Sequence, residues 1–192
     1  MKKKLDCPLL CLVTNTFFMS SENLEDKIIS AITGGVGMIQ LRDKTASGSS
    51  LLKQALRLKA ITDDKSLLVI NGSVEVALAC NADGVHLPEN SMDPEVAREI
   101  SGDKLLIGKS IHDLKGAELA QKDGSDYVIL GTIFTTESKP GVVPSGTSLV
   151  NTVTNKINIP VLGIGGINPS NAGLVVGEGA SGVAVISYII DA

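Results

Sequence analysis

The chain has 192 residues, a net charge of −4 and only 3% aromatic residues, with no tryptophan. A nucleic-acid partner is therefore excluded, because phosphate backbones need a positive face and single strands need aromatic side chains for stacking. The sequence contains no uninterrupted run of 18 apolar residues, so we expect no membrane partner. Cys7, Cys11 and Cys80 form no CxxC pair. We expect them to be reduced thiols packed in the core of a cytoplasmic protein.

Short apolar runs alternate along the chain with longer amphipathic segments. The predicted strands are, in chain order, Leu9–Val13, Met38–Leu41, Leu67–Ile70, Gly84–Leu87, Leu105–Ile107, Tyr127–Leu130, Val161–Ile164 and Val183–Ile186. Helical patterns between them lie at Glu22–Thr33, Ser49–Thr62, Pro94–Ile100 and Leu114–Lys122. Most strands are apolar throughout, which is typical of a sheet covered on both faces. The alternation predicts parallel strands joined by helical crossovers.

About eight such units would close a (β/α)8 TIM barrel, and an open doubly wound sheet is the alternative. The barrel is favoured because no GxGxxG motif follows the first strand and because every strand leads into a polar or glycine-containing loop. We therefore expect one compact α/β domain over residues 1–192. The sequence ends soon after the eighth strand, so we expect the last helix to be truncated or missing. The apolar stripe left uncovered there predicts a homodimer.

Two glycine-containing segments lie at the last two predicted strands, Gly163–Pro169 at strand seven and Gly182–Ser187 at strand eight. Gly163–Pro169 contains Gly165 and Gly166, and the eighth strand ends at Ile186 and Ser187. In barrels of this kind a phosphate commonly binds between these loops, on backbone N–H groups at a helix N-terminus. Asn168 is predicted to cap that helix, with Pro169 at its first position. The alternative interpretation is a tight turn, and the pairing of the two segments favours phosphate.

Other strand ends carry hydroxyl, cationic and imidazole groups. Thr136, Ser138 and Lys139 follow strand six and would supply several donors to a phosphate or diphosphate, unless they form only a solvated loop. Arg42 and Lys44 add two cations after strand two. His86 lies inside strand four, which favours a structural role in the barrel wall. His112 follows strand five, where catalytic groups usually lie, and ligand contact and a structural role stay equally open.

These motifs, taken in order, resemble those of the family of thiamine phosphate synthase and its paralogue, the thiazole tautomerase TenI. Gln40–Lys44 resembles Q-[LF]-R-[DE]-K, and Ala82–Leu87 resembles A-D-G-V-H-L. Further matches are Asn71 with Val74–Ala77, Ile107–His112 as I-G-x-S-x-H, Gly131–Lys139 as G-P-I-F-x-T-x-[TS]-K, and the I-G-G-I and V-A-V-[IV]-S segments of strands seven and eight. The resemblance covers the chain from Leu9 to Ile189.

The resemblance implies an enzyme of thiamine biosynthesis. Such an enzyme joins hydroxymethylpyrimidine diphosphate to a thiazole phosphate and releases diphosphate with the help of Mg²⁺. By resemblance, the diphosphate would be held by Arg42, Lys44, Asn71, Thr136, Ser138 and Lys139. Ser110 would contact the pyrimidine, and Gly166, Ile186 and Ser187 would bind the thiazole phosphate.

Three positions depart from the family pattern. Gly72 and Ser91 stand where the synthases carry carboxylates for magnesium, and Thr132 stands where the tautomerase carries its catalytic histidine. Apart from Asp43, Glu89 and Asp93, which lie in different loops, no pair of carboxylates at ligand spacing faces the rim, so we expect no dedicated metal site. Three hypotheses follow. The chain is a synthase with His112 and Lys139 as its catalytic residues, a tautomerase with His112 as base, or a non-catalytic protein that binds thiazole phosphate or thiamine phosphate.

Overall fold

The computed structural model describes residues 4–16 and 23–190. Its parallel strands form a closed barrel in sequence order, in which the first strand pairs with both the second and the eighth. The strands are β1 Leu9–Val13, β2 Met38–Leu41, β3 Leu67–Asn71, β4 Gly84–Leu87, β5 Leu106–Ile111, β6 Tyr127–Gly131, β7 Val161–Ile164 and β8 Gly182–Val185. The predicted (β/α)8 TIM barrel is confirmed.

Helices follow the strands on the outside of the barrel. They are α1 Leu24–Thr33, α2 Gly48–Thr62, α3 Val74–Ala79, α4 Pro94–Ser101, α5 Leu114–Lys122, α6 Gly146–Thr154, α7 Ala172–Gly177 and α8 Ser187–Ile190. A short 3₁₀ turn at Gly102–Lys104 follows α4. The last described helix, α8, spans the four residues Ser187–Ile190. In the described part of the chain, no helix has the length and apolar character needed to cross a membrane.

Most predicted boundaries agree with the structure within one residue. Of the predicted helix Glu22–Thr33, Glu22 lies outside the described residues, and α1 ends at Thr33 as predicted. The prediction for the helix after strand seven was wrong. That helix begins at Ala172, while Asn168 Oδ1 accepts hydrogen bonds from Ser170 N and Oγ in a turn that precedes it. Asn168 therefore caps a turn and not the helix.

The hydrophobic core has two layers, as expected when parallel strands are covered on both faces. Inward side chains such as Met38, Val69 and Leu162 fill the barrel, and outward ones such as Ile39 and Leu130 pack beneath the helices. Cys11 and Cys80 are buried and free, as predicted. The prediction for Cys7 was wrong, because Cys7 is exposed, before the start of β1.

Candidate active site

A large cavity opens at the carboxyl ends of the strands, with a volume of 1290 Å³. Every predicted site residue lines this cavity: Arg42, Lys44, Asn71, Ser110, His112, Thr136, Ser138, Lys139, Gly165, Gly166, Ile186 and Ser187. They come from loops or strand ends that are far apart in sequence. Closure of the barrel brings these segments to one end, because all eight strands run in the same direction.

The floor of the cavity consists of polar side chains at the top of the barrel interior. Asn71 Nδ2 donates to Gln40 Oε1 over 2.9 Å. His86 Nε2 lies 2.8 Å from Ser110 Oγ. Gln40 Nε2 and His86 Nδ1 are buried and have no hydrogen-bond partner within the described residues. Buried polar groups are usually paired, so these two atoms are exceptions with unused hydrogen-bonding capacity.

His86 lies inside the barrel and lines the cavity, although its sequence position favoured a purely structural role in the wall. It is 1% exposed, and its ring centroid lies 5.7 Å from that of Tyr127. Burial, together with the smaller effect of the Lys109 charge, lowers the pKa of His86 to about 3. The imidazole is therefore neutral near pH 7 and acts there as a hydrogen-bonding group.

Hydrogen bonds to the loop after β2 hold Arg42 at the cavity. Arg42 N donates to Thr14 Oγ1 over 2.9 Å, and Thr14 Oγ1 donates to Arg42 O over 3.2 Å. Asp43 accepts hydrogen bonds from Gln54, Thr45 and Thr16. The bond from Gln54 is the main reason that the pKa of Asp43 lies well below its usual range. Asp43 therefore fixes the loop and does not line the cavity.

The loop after β6 folds into a turn that offers hydroxyl and ammonium groups. Ser138 N donates to Thr136 Oγ1 over 3.3 Å, and Lys139 N donates to Thr136 O over 3.4 Å. The side chains of Ser138 and Lys139 are exposed at the mouth of the cavity. Such a turn holds several hydrogen-bond donors and one cation around a small volume, which suits a phosphate group.

Gly165 and Gly166 line the adjacent wall of the cavity with bare backbone. Both have left-handed conformations, with φ of +104° and +64°. A Cβ atom on Gly166 would lie 2.4 Å from the Thr135 carbonyl oxygen, so only glycine fits there. The Asn171 side chain donates to Gly166 O over 2.9 Å and fixes the turn. Ile186 and Ser187 line the same cavity from the end of β8.

His112 makes contacts through both ring nitrogens. Nδ1 is in hydrogen-bond contact with the carbonyl oxygen of Gly131, and Nε2 lies 3.4 Å from Glu89 Oε2. Glu89 lines the cavity and was not among the predicted site residues. Thr132 is buried, and its carbonyl accepts hydrogen bonds from Ser145 N and Oγ. The only imidazole at the cavity mouth among the described residues is therefore that of His112.

Few carboxylates are available to a metal. Within the described ranges 4–16 and 23–190, no group of three or more His, Cys, Asp and Glu side chains lies close enough to hold a metal ion. Gly72 contributes only backbone, and Ser91 Oγ donates to Pro88 O over 2.6 Å. Glu89 and Glu137 are the carboxylates that line the cavity in the described part of the chain. The donor set thus fits poorly with a Mg²⁺ ion anchored by two protein carboxylates.

Lys109 holds the loop that carries Glu89. Its side chain is buried and does not line the cavity. Nζ donates to the carbonyl oxygens of Pro88 and Met92, each over 3.1 Å. Burial lowers the pKa of Lys109, and the carboxylates of Asp93 and Glu89 oppose that shift. No pattern in the sequence singled out Lys109, because its role depends on contact between β5 and the loop after β4.

The fold and the cavity define a class of protein: a TIM barrel with a polar, partly cationic cavity at the carboxyl ends of its strands, a construction typical of enzymes that act on phosphorylated small molecules. A family model described as thiamine monophosphate synthase matches residues 10–189. The chain belongs to this family, which confirms the resemblance found in the sequence.

Named relatives agree with this assignment. A thiamine-phosphate synthase of Ruminiclostridium cellulolyticum is 39% identical over 191 residues, which cover 99% of this chain and 90% of the relative. The thiamine-phosphate synthase of Clostridium novyi is 40% identical, over 94% of this chain and 90% of the relative. The solved structure of thiamine phosphate pyrophosphorylase from Pyrococcus furiosus superposes with a TM-score of 0.85 at 34% identity, covering 96% of this chain and 88% of that one.

Proposed function

We propose that this chain is a thiamine-phosphate synthase, which joins hydroxymethylpyrimidine diphosphate to a thiazole phosphate and releases diphosphate. One observation carries the proposal. In this member of the family, two sets of groups that can bind anions line the same cavity. One set is the cationic and hydroxyl groups after β2 and β6. The other is the glycine backbone after β7 with the end of β8. Two phosphorylated substrates need two such sets.

The first set would hold the diphosphate. Arg42 and Lys44 approach from one side of the cavity, and Thr136, Ser138 and Lys139 from another. When the bond between the pyrimidine methylene carbon and the diphosphate oxygen breaks, negative charge grows on the departing diphosphate. Cations fixed beside that group stabilise the charge as it forms. We assign Lys139 a catalytic role for this reason.

The floor and the glycine wall would position the two rings. Asn71, hydrogen-bonded to Gln40 on the floor, would contact the diphosphate, and Ser110 and the unpartnered amide of Gln40 would contact the pyrimidine. Gly165, Gly166, Ile186 and Ser187 would bind the thiazole phosphate. Holding two reactants in contact removes much of the entropic barrier to their reaction.

A coupled assay tests this proposal. Purified protein is incubated with both substrates and either Mg²⁺ or Mn²⁺, and thiamine phosphate and free diphosphate are measured by chromatography. We expect the two products in equal amounts. Substrate consumption without thiamine phosphate, or no reaction at enzyme concentrations equal to those of the substrates, would contradict the proposal.

A tautomerase reaction on a thiazole phosphate is the second candidate. It is favoured by Gly72 and Ser91, which bring no carboxylates to the cavity. Because Thr132 has no side-chain pKa near neutrality, the base would be His112. The test is the rate of aromatisation of the carboxylated thiazole phosphate tautomer. An acceleration by the protein that is lost in His112→Asn supports this reaction, and no acceleration argues against it.

A non-catalytic protein of this family would show a third result. Isothermal titration calorimetry would then detect tight binding of thiazole phosphate or thiamine phosphate, and neither the synthase assay nor the tautomerase assay would show turnover. Turnover in either assay excludes this hypothesis.

We also propose a homodimer. Leu174 on α7 and Tyr188 on α8 are 60% and 55% exposed. Exposed apolar side chains of this kind mark contact surfaces when they are contiguous. Light scattering coupled to size-exclusion chromatography should give twice the chain mass of 19.9 kDa, and Leu174→Asp should lower it. A monomeric wild-type protein would contradict the proposal.

A further inference from the structure

A buried imidazole lies next to a serine at the floor of the cavity. His86 Nε2 is 2.8 Å from Ser110 Oγ, a normal hydrogen-bond distance. The imidazole is neutral near pH 7, so the ring carries one proton, on either Nε2 or Nδ1. With the proton on Nε2, the ring donates to Ser110 Oγ. With the proton on Nδ1, the ring accepts the proton of the serine hydroxyl instead.

The phenol of Tyr127 lies beside the same imidazole. The two ring centroids are 5.7 Å apart, and Tyr127 is fully buried. Its hydroxyl end covers Gly108, where an added Cβ would lie 2.2 Å from Tyr127 Cζ and 2.5 Å from the hydroxyl oxygen. Gly108 is the residue of β5 that pairs with His86 of β4. The hydroxyl end of the phenol therefore lies at the strand position next to His86.

The unpaired atoms of these two rings decide where the imidazole proton lies. Tyr127 Oη and His86 Nδ1 are both buried, and neither has a hydrogen-bond partner within the described residues. If Nδ1 carried the proton, two buried donors would lie side by side, and at least one would lack an acceptor. With the proton on Nε2, Nδ1 is an acceptor beside the phenol donor. Because a buried donor without an acceptor is costly, the proton on Nε2 is favoured.

A proton on Nε2 fixes the direction of the hydrogen bond between His86 and Ser110. Ser110 Oγ then accepts from the ring, and the proton of its own hydroxyl is left for another acceptor. Ser110 is half-buried and lines the cavity, so that acceptor can belong to a bound ligand. A ring nitrogen with a lone pair matches such a donor, whereas a ring N–H group would place one donor against another.

We propose that His86 is a positioning residue with its proton on Nε2, and that it makes Ser110 a hydrogen-bond donor to an unprotonated ring nitrogen of the pyrimidine substrate. The site would thereby select an aromatic ring with a lone pair at that position over a pyrimidinone that carries N–H there. The inference rests on the proposed function, because the pyrimidine is the substrate of the synthase. It adds the direction of the hydrogen bond and the residue that sets this direction.

Nuclear magnetic resonance tests the position of the proton in the free protein. With ¹⁵N-labelled histidine, correlation spectra through the ring protons distinguish a protonated from an unprotonated nitrogen. The chain has two histidines, so the spectrum of His112→Asn identifies the His86 signals. We expect a protonated Nε2 and an unprotonated Nδ1 in His86 at pH 7. A protonated Nδ1 as the main form in the wild type would overturn the inference.

Substrate analogues test the donor role of Ser110. Calorimetry compares hydroxymethylpyrimidine diphosphate with two analogues, in each of which one ring nitrogen is replaced by C–H. We expect one analogue to bind the wild type roughly 10-fold more weakly, because it leaves the serine donor unpaired. In Ser110→Ala that analogue and the parent compound should bind equally. Ser125→Ala removes another buried serine hydroxyl, before β6, and should keep the wild-type preference.

The same preference in the wild type and in Ser110→Ala, or no preference in the wild type, would contradict the donor role. The inference and the synthase proposal fail separately. Thiamine phosphate formation by a protein without this preference removes the inference alone. A protonated Nε2 together with the preference, in a protein that forms no thiamine phosphate, removes the synthase alone.

Discussion

Gly166 shows how one residue without a side chain shapes the phosphate wall. Its φ is +64°, and an added Cβ would lie 2.4 Å from the Thr135 carbonyl oxygen. We therefore expect Gly166→Ala to lower the free energy of unfolding by roughly 1–2 kcal/mol through its left-handed backbone, with a further loss from the clash. Urea denaturation measures the change, and calorimetry with thiazole phosphate measures the loss of binding.

The control for this change is Gly173→Ala. Gly173 lies in α7, where an added Cβ would meet nothing within 4 Å, and alanine is the better helix former. We expect Gly173→Ala to be neutral or to stabilise the protein by up to about 1 kcal/mol. Equal effects of the two substitutions would show that the left-handed turn is not what requires glycine at position 166.

Lys139 carries the cation of the loop after β6. If the ammonium contacts the diphosphate, Lys139→Gln should lower kcat/KM by roughly 10- to 100-fold, because a charged hydrogen bond contributes about 1.5–3 kcal/mol. Steady-state kinetics with varied hydroxymethylpyrimidine diphosphate measure the change in kcat/KM. Lys156→Gln makes the same charge change in an exposed segment before β7, at the opposite end of the barrel, and should have no effect. Similar losses in both variants would indicate a general effect of net charge.

The sequence identified site residues where a short motif carries the chemistry, and missed them where a tertiary contact does. Gln40 begins the motif that contains Arg42, and its inward position follows from strand alternation with Met38, so that signal was present. Glu89 was visible as a loop carboxylate. Its approach to His112 depends on the packing of the loop after β4 against β5, which has no local signature.

At the scale of elements, β5 runs from Leu106 to Ile111, whereas its apolar run predicted an end at Ile107. The extension contains Lys109 and Ser110, whose polar side chains are typical of a loop. Both find partners in the folded chain: Lys109 with two carbonyls after β4, and Ser110 with His86. Hydrogen bonds from β5 to neighbouring segments of the barrel stabilise the longer strand. Hydrophobic patterning alone does not predict these bonds.

Lys109 should therefore control the order of the loop after β4. In Lys109→Met the Met92 carbonyl loses its bond from the ammonium, and the Pro88 carbonyl keeps only its bonds from Ser91 N and Oγ. A hydrogen bond to a charged group contributes about 1.5–3 kcal/mol. We expect faster hydrogen exchange in the segment 88–92 and little change elsewhere. Mass spectrometry of peptides from that segment measures it. Lys115→Met, on the exposed face of α5, is the matched control and should leave exchange there unchanged.

At the scale of the molecule, the predictable part is the closed barrel and the unpredictable part is its polar floor. Uniform apolar strands and regular crossovers define the architecture, because few topologies satisfy both. The pairs Gln40 with Asn71 and His86 with Ser110 form only when strands 2, 3, 4 and 5 lie side by side in register. The assignment of residues 1–192 to one domain stays a prediction.

Burial of His86 inside the barrel should make the stability of the whole molecule depend on pH. Its pKa is about 3 in the folded chain, against 6.5 in the unfolded one. Between these values the unfolded chain binds a proton that the folded chain does not. Stability should therefore be unaffected by His86 above pH 6.5 and should fall as the pH drops below it, by up to about 1.4 kcal/mol per pH unit.

Urea denaturation of wild type and His86→Gln at several values between pH 7.5 and pH 4 isolates this contribution. The variant has no group to protonate, so its stability should decline less steeply with falling pH, and the difference between the two proteins should shrink as the medium becomes more acidic. Tyr127→Phe alters the neighbouring buried ring, whose hydroxyl pKa is raised by burial and does not titrate in this range. It should shift the curve equally at every pH. A His86→Gln curve parallel to that of the wild type would mean that the imidazole is reached by protons in the folded barrel.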